Sequence, residues 1–353
     1  MMPERLKVLV VDDSAYMRVV LKDIIEADED MVVVDTARDG LEAINKTKQI
    51  GPDVVLLDIQ MPKMDGLATL QRIMKEAPTR VVMLSAMDKV DDQLPLRALE
   101  MGAVDFISKP SGPVSIDIVR YNSKIREILK NAAFAKLDAL KKARAPLPHK
   151  LVAPPVSSAR ASEWKAIAIA ASTGGPRALE VIFSALPRAI PAPVFIVQHL
   201  PAEFSASFAK RLDSAKGPRV VVARDNDHIE KGVAYLAPGG KHLKIERERT
   251  GFTTVLDDSD PIQFVKPSAN VLFESAANCF GENLMVVILT GMGSDGAAGA
   301  RAVGSAGGWV VVQDEPSSVI FGMAKAAIDS KAAHQVVPLE VIPQEIIRFL
   351  EED

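Results

Sequence analysis

Residues Ala166–Pro176 read A-I-A-I-A-A-S-T-G-G-P. The run of small and branched apolar residues predicts a strand buried on both faces of a parallel sheet. It stops at Ser172, and Thr173, Gly174 and Gly175 follow. Pro176 then opens Arg177–Leu186, an apolar-periodic stretch that predicts a helix, with proline well placed in its first turn. Ser172 therefore falls where a strand turns sharply into a helix. Such a turn exposes a hydroxyl at the carboxyl edge of a sheet, among free backbone N–H groups at the positive end of a helix dipole. The position suits a nucleophile, and it equally suits a bound anion.

Two further strand ends bear on that choice. Pro193–Val197 stops at Gln198-His199-Leu200-Pro201, and Leu284–Leu289 stops at T-G-M-G-S-D-G, Thr290–Gly296. A Ser, a His and an Asp thus each follow a different hydrophobic strand. In an open α/β sheet the crevice beyond the carboxyl ends of the strands is the usual functional site. A Ser-His-Asp triad is defined by geometry and tolerates any chain order. In that reading His199 takes the proton of Ser172, Asp295 orients His199, and backbone N–H groups in the Ser172 and Gly291–Gly293 loops stabilise an oxyanion. The rival reading is a phosphate cradle, S-T-G-G at a helix start. It lacks the Walker A lysine and the G-x-G-x-x-G spacing, and it leaves His199 and Asp295 without a task. His228, His242 and His334 compete with His199 as the base, and His242, after A-P-G-G-K, is placed to line the cleft. Asp295 has its own alternative, as a cap for the Gly-rich segment that follows it.

The chain has 353 residues, enough for two domains, with 48% hydrophobic and 25% charged residues, an ordinary globular balance. A net charge of −4 leaves no basic footprint, so nucleic acid is not an expected partner. The lone cysteine, Cys279, has no internal disulfide partner, which suits a reducing compartment. The N-terminus runs from charged residues straight into Val8–Val11 without a signal-peptide layout, and no apolar run is long enough to span a bilayer. The expectation is a cytoplasmic protein without membrane insertion.

In the N-terminal half, strands are predicted at Lys7–Val11, Met31–Thr36, Asp53–Leu57, Arg80–Leu84 and Ala103–Ile107, and helices at Ala15–Glu26, with Asp13 or Ser14 as its cap, and Gly40–Thr47. The alternation implies a right-handed, doubly wound parallel sheet. Asp12, Asp13, Asp58, Ser85 and Lys109 all fall at the carboxyl ends of these strands. Three carboxylates in one crevice repel and call for a cation; magnesium takes oxygen ligands and shares them with phosphate. Lys109 adds positive charge and Ser85 a hydroxyl donor. The set suits phosphoryl transfer to a carboxylate, with Asp58 as nucleophile. Taken one by one, Asp12 and Asp13 read as a helix cap and a solvated carboxylate, and Lys109 as a surface lysine; taken together they do not.

Residues 6–130 resemble a response-regulator receiver domain. The matching pieces are V-V-D-D-S (Val10–Ser14), L-L-D-I-Q-M-P-K-M-D-G (Leu56–Gly66), L-S-A (Leu84–Ala86) and D-F-I-S-K-P (Asp105–Pro110). The resemblance implies that Asp58 accepts a phosphoryl group from a histidine kinase. It further implies that Asp12, Asp13 and Asp58 hold Mg2+ together with the Gln60 backbone carbonyl, that Ser85 and Lys109 contact the phosphoryl group, and that Phe106 occupies an aromatic switch position. Members of that family often carry Thr where Ser85 stands; both have the hydroxyl.

Ile116–Arg144 is read as the last helix of this half running on, and Ala145–Ser162, rich in Pro and Ser, as a fairly extended linker in which His149 is solvated. From Trp164 onward strands and helices alternate again: besides the three strands above, strands at Arg219–Ala223, Gly232–Leu236 and Trp309–Gln313, and helices at Phe204–Asp213 and Ala269–Phe280. The predicted organisation is a receiver domain over 1–130, a helical extension and linker over 131–162, and a catalytic domain over 163–353. The fold class is α/β, two doubly wound parallel-sheet domains, the first flavodoxin-like and the second Rossmann-like.

Residues 164–350 resemble the catalytic domain of the chemotaxis protein-glutamate methylesterases, on A-S-T-G-G-P (Ala171–Pro176), V-Q-H-L-P (Val197–Pro201), A-Y-L-A-P-G-G-K-H-L (Ala234–Leu243), K-P-S-A-N-V-L-F (Lys266–Phe273) and L-T-G-M-G-S-D-G-A (Leu289–Ala297). The layout of receiver, linker and catalytic domain is also that family's. The resemblance implies Ser172 as nucleophile, His199 as base, Asp295 as orienter, and the backbone N–H groups of Thr173 and Met292 as oxyanion donors, with no cofactor for the ester hydrolysis. Its substrates would be glutamate methyl esters on the cytoplasmic helices of chemoreceptors, with glutamine deamidation as a second activity. The terminal F-L-E-E-D carries no recognisable receptor-tethering signal. An unphosphorylated receiver is expected to block the cleft and phosphorylation to release it. A phospho-gated binding protein using the same loops without turnover is the competing expectation, and Ser172→Ala separates the two. A hydrolase that ignores its receiver is the third, and Asp58→Ala tests it.

Overall fold

The apolar runs of the N-terminal half become β1 (Leu6–Val11), β2 (Met31–Ala37), β3 (Val54–Asp58), β4 (Arg80–Ser85) and β5 (Asp105–Ser108). They pair in parallel in the order β2-β1-β3-β4-β5, the doubly wound flavodoxin-like order. Between them run α1 (Ala15–Glu26), α2 (Gly40–Ile50), α3 (Gly66–Glu76) and α4 (Leu94–Met101), followed by α5 (Asp117–Ala133) and α6 (Leu137–Lys142). The computed structural model describes residues 5–85, 93–109, 117–142 and 164–352. Val8–Val11, Val54–Leu57 and Val81–Leu84 are wholly buried, because helices cover both faces of a parallel sheet. Ser14 caps α1, its hydroxyl accepting the Met17 N–H.

The helix expected to run unbroken over Ile116–Arg144 is interrupted instead. Its last turn tightens, with Phe134 N–H bonded to Asn131 O and Ala135 N–H to Ala132 O. The Arg80 guanidinium then takes the Ala135 carbonyl at 2.9 Å, an acceptor that a continuing helix would use itself. Ile116, Arg144, the linker reading over Ala145–Ser162 and its His149 lie outside the described residues.

By its contacts the chain divides into two units, Met1–Lys141 and Lys142–Asp353. The second is built from β6 (Ala166–Ala171), α7 (Gly175–Ala185), β7 (Val194–Gln198), α8 (Ser205–Ser214), β8 (Arg219–Val222), β9 (Val233–Leu236), β10 (His242–Glu248), β11 (Gly251–Asp257), α9 (Ala269–Phe280), β12 (Leu284–Ile288), α10 (Ala297–Ser305), β13 (Trp309–Gln313), α11 (Met323–Asp329), β14 (Gln335–Val337) and α12 (Ile342–Glu351). Its seven-stranded parallel sheet has the order β14-β13-β12-β6-β7-β9-β8. The chain leaves β6 toward β7 and later returns to its other side with β12, so the winding reverses at β6 and β12. That is where the carboxyl ends of strands open a crevice. β6 is wholly buried, as its composition predicts.

One feature departs from a purely parallel reading. β10 and β11 form a separate antiparallel hairpin, His242 opposite Asp257 through Glu248 opposite Gly251. The inner residues Leu243, Ile245 and Phe252 join the same core as α9 and β12.

Candidate active site and phosphoacceptor pocket

Ser172 leaves β6 at the centre of the second sheet. Its N–H donates to Thr290 O beyond β12, and His199 N–H donates to Ala171 O from the end of β7. Ala171 and Gln198 are register partners, so Ser172 and His199 stand side by side one step further, on strands about 4.8 Å apart. On the other flank Gly291 approaches so closely that a Cβ there would lie 2.8 Å from the Ser172 Cβ, so the position excludes any larger residue. Gly174, at φ +79°, makes the sharp turn into α7, with Pro176 in the first turn.

His199 Nε2 lies 2.9 Å from Asp295 Oδ2. A carboxylate only accepts, so Nε2 carries a proton, and in the neutral ring Nδ1 is then the nitrogen with the lone pair. Ser172 Oγ makes no hydrogen bond among the described residues; a serine–histidine bond is often long until substrate arrives. Asp295 is buried and does not cap the helix that follows it, as its position in the sequence had allowed. It reaches back to the N-terminus of α9, where Ala269 N–H donates to Oδ2 at 2.7 Å and Asn270 N–H to Oδ1 at 3.2 Å. The Ser268 hydroxyl donates to Oδ1 at 2.6 Å and the Asn270 side-chain amide at 2.9 Å. Burial pushes this carboxyl up, but His199, Ser268 and the Ala269 N–H outweigh it and hold Asp295 below the ordinary aspartate value.

The other histidines are spoken for. His242 is fully buried, accepts the Ser268 N–H on Nδ1 at 3.0 Å and donates through Nε2 to Asp260 O at 3.1 Å. It supports the residue that supports Asp295 and does not line the cleft. His228 faces Glu248 at 3.6 Å, and His334 stacks on Trp309 while accepting the Val310 N–H.

Three residues that had no assigned role belong to this site. The Gln198 side-chain amide donates to Ser172 O and His199 O, pinning both backbones. Ser268 and Asn270 hold Asp295. Asn270 Oδ1 also accepts the N–H groups of Gly296 and Gly299, tying α9 to the start of α10. In the loop after β12, Gly291 N–H is consumed by Ile320 O, and Ser172 N–H by Thr290 O. Met292, Gly293, Ser294 and Asp295 are the N–H groups of that loop for which no acceptor lies among the described residues. Thr173, the other expected donor, directly follows Ser172, with its carbonyl held by the Thr290 hydroxyl at 3.0 Å.

In the first sheet, Asp12, Asp13 and Asp58 meet beyond β1 and β3, with carboxylate oxygens within 4.8 Å of one another. Lys109 Nζ lies 2.8 Å from both Asp12 Oδ2 and Asp58 Oδ2. Lys109 N–H bonds to Ser85 O, which sets the lysine beside the serine. Gln60 N–H reaches Asp58 Oδ1 at 3.3 Å. Burial pushes the Asp58 carboxyl above its ordinary value; Lys109 opposes this and Asp12 adds to it. Burial works against the charge on Lys109, but its bonds to Asp12 and Asp58 raise its pKa overall. Three carboxylates against one lysine leave excess negative charge on an all-oxygen set, which fits a hard divalent cation. Phe106 is buried on β5. Asp12, Asp13, Asp58 and Lys109 are therefore brought together, with Ser85 and Gln60 joined to them through backbone groups.

Comparison with known proteins agrees across the chain. The CheB methylesterase family model matches residues 167–346, and the response regulator receiver domain model matches residues 8–118. A protein-glutamate methylesterase/protein-glutamine glutaminase of Halalkalibacterium halodurans is 42% identical over 347 residues, 98% of this chain and 99% of its own. One of the same description from Salmonella typhimurium is 41% identical over 343 residues, covering 97% and 96%. The crystal structure of the Thermotoga maritima CheB methylesterase catalytic domain superposes with a TM-score of 0.52 at 39% identity, covering 53% of this chain and 98% of that one. Among the described residues no helix is long and apolar enough to cross a membrane. With a full-length layout of receiver and esterase shared at this identity, the chain belongs to the CheB methylesterase family.

Proposed function

We propose that this protein hydrolyses glutamate methyl esters on chemoreceptor helices, releasing methanol, and deamidates receptor glutamines, under control of phosphorylation at Asp58. The observation that carries the reading is the His199 Nε2–Asp295 Oδ2 pair set beside Ser172 at the reversal of the sheet. Ser172 Oγ attacks the ester carbonyl carbon while His199 Nδ1 takes its proton. Asp295 fixes the ring and balances the charge the ring gains. The oxyanion is held by the backbone N–H groups of Thr173 and Met292. His199 returns the proton to the departing methoxide, or to the departing amine of a glutamine. Water, deprotonated by the same nitrogen, then attacks the acyl-Ser172 ester and frees a glutamate carboxylate.

In the receiver, Asp58 is the phosphoacceptor. Asp12, Asp13, Asp58 and the Gln60 carbonyl would hold Mg2+, which supplies charge balance for phosphoryl oxygens. Lys109 and Ser85 contact the phosphoryl group, and Phe106 answers the change. The donor is the histidine kinase of the chemotaxis system and the compartment is the cytoplasm. The domain division that fits this reading is 1–130, 131–162 and 163–353. The test is methanol release from methylated receptor membranes, with and without magnesium and a small phosphodonor. Wild type should release methanol, faster with the phosphodonor, and Ser172→Ala should release none. If wild type is silent under both conditions, the loops serve binding and not turnover.

A further inference from the structure

Ending three residues before Ser268, the segment Ile262–Val265 makes a two-residue hairpin turn. Ile262 N–H bonds to Val265 O at 3.1 Å and Val265 N–H to Ile262 O at 3.0 Å. The central pair, Gln263 at φ +50° and Phe264 at φ +66°, are both left-handed. Such turns favour Asn-Gly, and a side chain at positive φ costs on the order of 1 kcal/mol per residue. Here the second position holds a phenylalanine that is 99% exposed. A strained backbone that carries an aromatic ring fully into water gains nothing for the fold, which points to a partner.

The turn is bound to the active site. The Ser294 hydroxyl donates to Gln263 Oε1 at 3.0 Å, and Ser294 lies between Met292 and Asp295 in the oxyanion loop. At its base Lys266 pairs with Asp258 at 2.8 Å, and Asp260 O accepts from His242. Ile262 and Met292 are also exposed, and the Ser294–Gln263 bond ties the turn that carries Ile262 and Phe264 to the loop that carries Met292. A methyl ester is small and alike on every glutamate. A protein substrate must therefore be recognised by residues flanking the ester, and aromatic side chains are the usual anchors.

We infer that Phe264, with Ile262 and Met292, forms an apolar lip that binds the apolar positions of the substrate helix beside the esterified glutamate. This rests on the esterase reading above. Phe264 is a specificity residue and takes no part in the chemistry.

The experiment compares full-length, phosphodonor-treated wild type with Phe264→Gly and Phe264→Leu, measuring methanol release against receptor concentration together with melting temperature. Glycine relieves the left-handed strain while deleting the ring. Phe264→Gly should raise KM about tenfold with kcat nearly unchanged and a melting temperature at or above that of wild type. Phe264→Leu should recover most of the KM. An unchanged KM overturns the inference. So does a rise in turnover without phosphodonor at constant KM, which would mean that the ring docks on the receiver of its own chain. A fall in kcat alone overturns it too, since the turn would then only brace the Ser294 loop. If wild type releases no methanol, the esterase reading itself has failed, and the lip fails with it.

Discussion

Asp58 and Asp295 occupy matching places in two doubly wound sheets, each buried in the crevice beyond the carboxyl ends of parallel strands, yet their environments push them in opposite directions. Asp58 has one lysine, one distant N–H and a second carboxylate for company, and burial wins: its charged form is disfavoured. Asp295 has a histidine and four donors from Ser268, Ala269 and Asn270 at a helix N-terminus, and its charged form is held. A carboxylate with too few donors is available to react or to gain a cation. One with many is a fixed support for something else. The two roles proposed here, phosphoacceptor and histidine orienter, follow that division.

The comparison can be broken. Asp295→Asn should force the wrong tautomer on His199 and lower kcat about 10^4-fold, whereas Asp58→Asn should remove only the stimulation by phosphodonor. Equal losses of basal turnover in the two variants would erase the distinction. Next in size, Asn270→Ala takes the side-chain amide donor from Asp295 and the acceptor of the Gly296 and Gly299 N–H groups. It should cost about 2–3 kcal/mol in the esterase-domain transition by calorimetry, and an unchanged transition would show that the donor set is redundant.

The smallest effects are in pH dependence, and their signs differ. Asp58 has a folded pKa above its ordinary 3.8, so stability is lost as pH rises from 3.8 to that raised value, and the cost is complete above it. Asp58→Asn should therefore melt above wild type at pH 7, and a lower melting point there would refute the burial account. Asp295 has a folded pKa below 3.8, so its contribution is complete above that value and is lost as pH falls further. The stability gap between wild type and Asp295→Asn should be wide at pH 7 and should shrink progressively as pH falls below 3.8. A gap independent of pH would mean that the ionised form contributes nothing.

Much of this was legible in the sequence. Ser172, Asp12 and Asp58 each directly follow an apolar run, His199 follows one after Gln198, and a strand end is a local signal. The β10–β11 hairpin was not predicted although His242–Glu246 alternates polar and apolar residues; in Gly251–Asp257 the pairs Thr253-Thr254 and Val255-Leu256 break that period of two. The break after Ala133 was not legible, because it depends on Arg80, 55 residues away, claiming the Ala135 carbonyl. Gln198, Ser268 and Asn270 lay inside recognised motifs without a role, since each acts through a hydrogen bond to a distant strand or loop.

The sequence by itself determined where strands end, which reactive groups stand at those ends, and that two α/β units follow one another. Periodicity and turn chemistry are properties of neighbouring residues, so they survive in one dimension. Only the tertiary structure decided which of several histidines meets Asp295, which nitrogen it uses, and that Asp295 caps α9 and not the helix after it. Those outcomes depend on β6 lying between β12 and β7 and on hydrogen bonds with a required direction and length, and neither strand order nor bond geometry is written in local residue patterns.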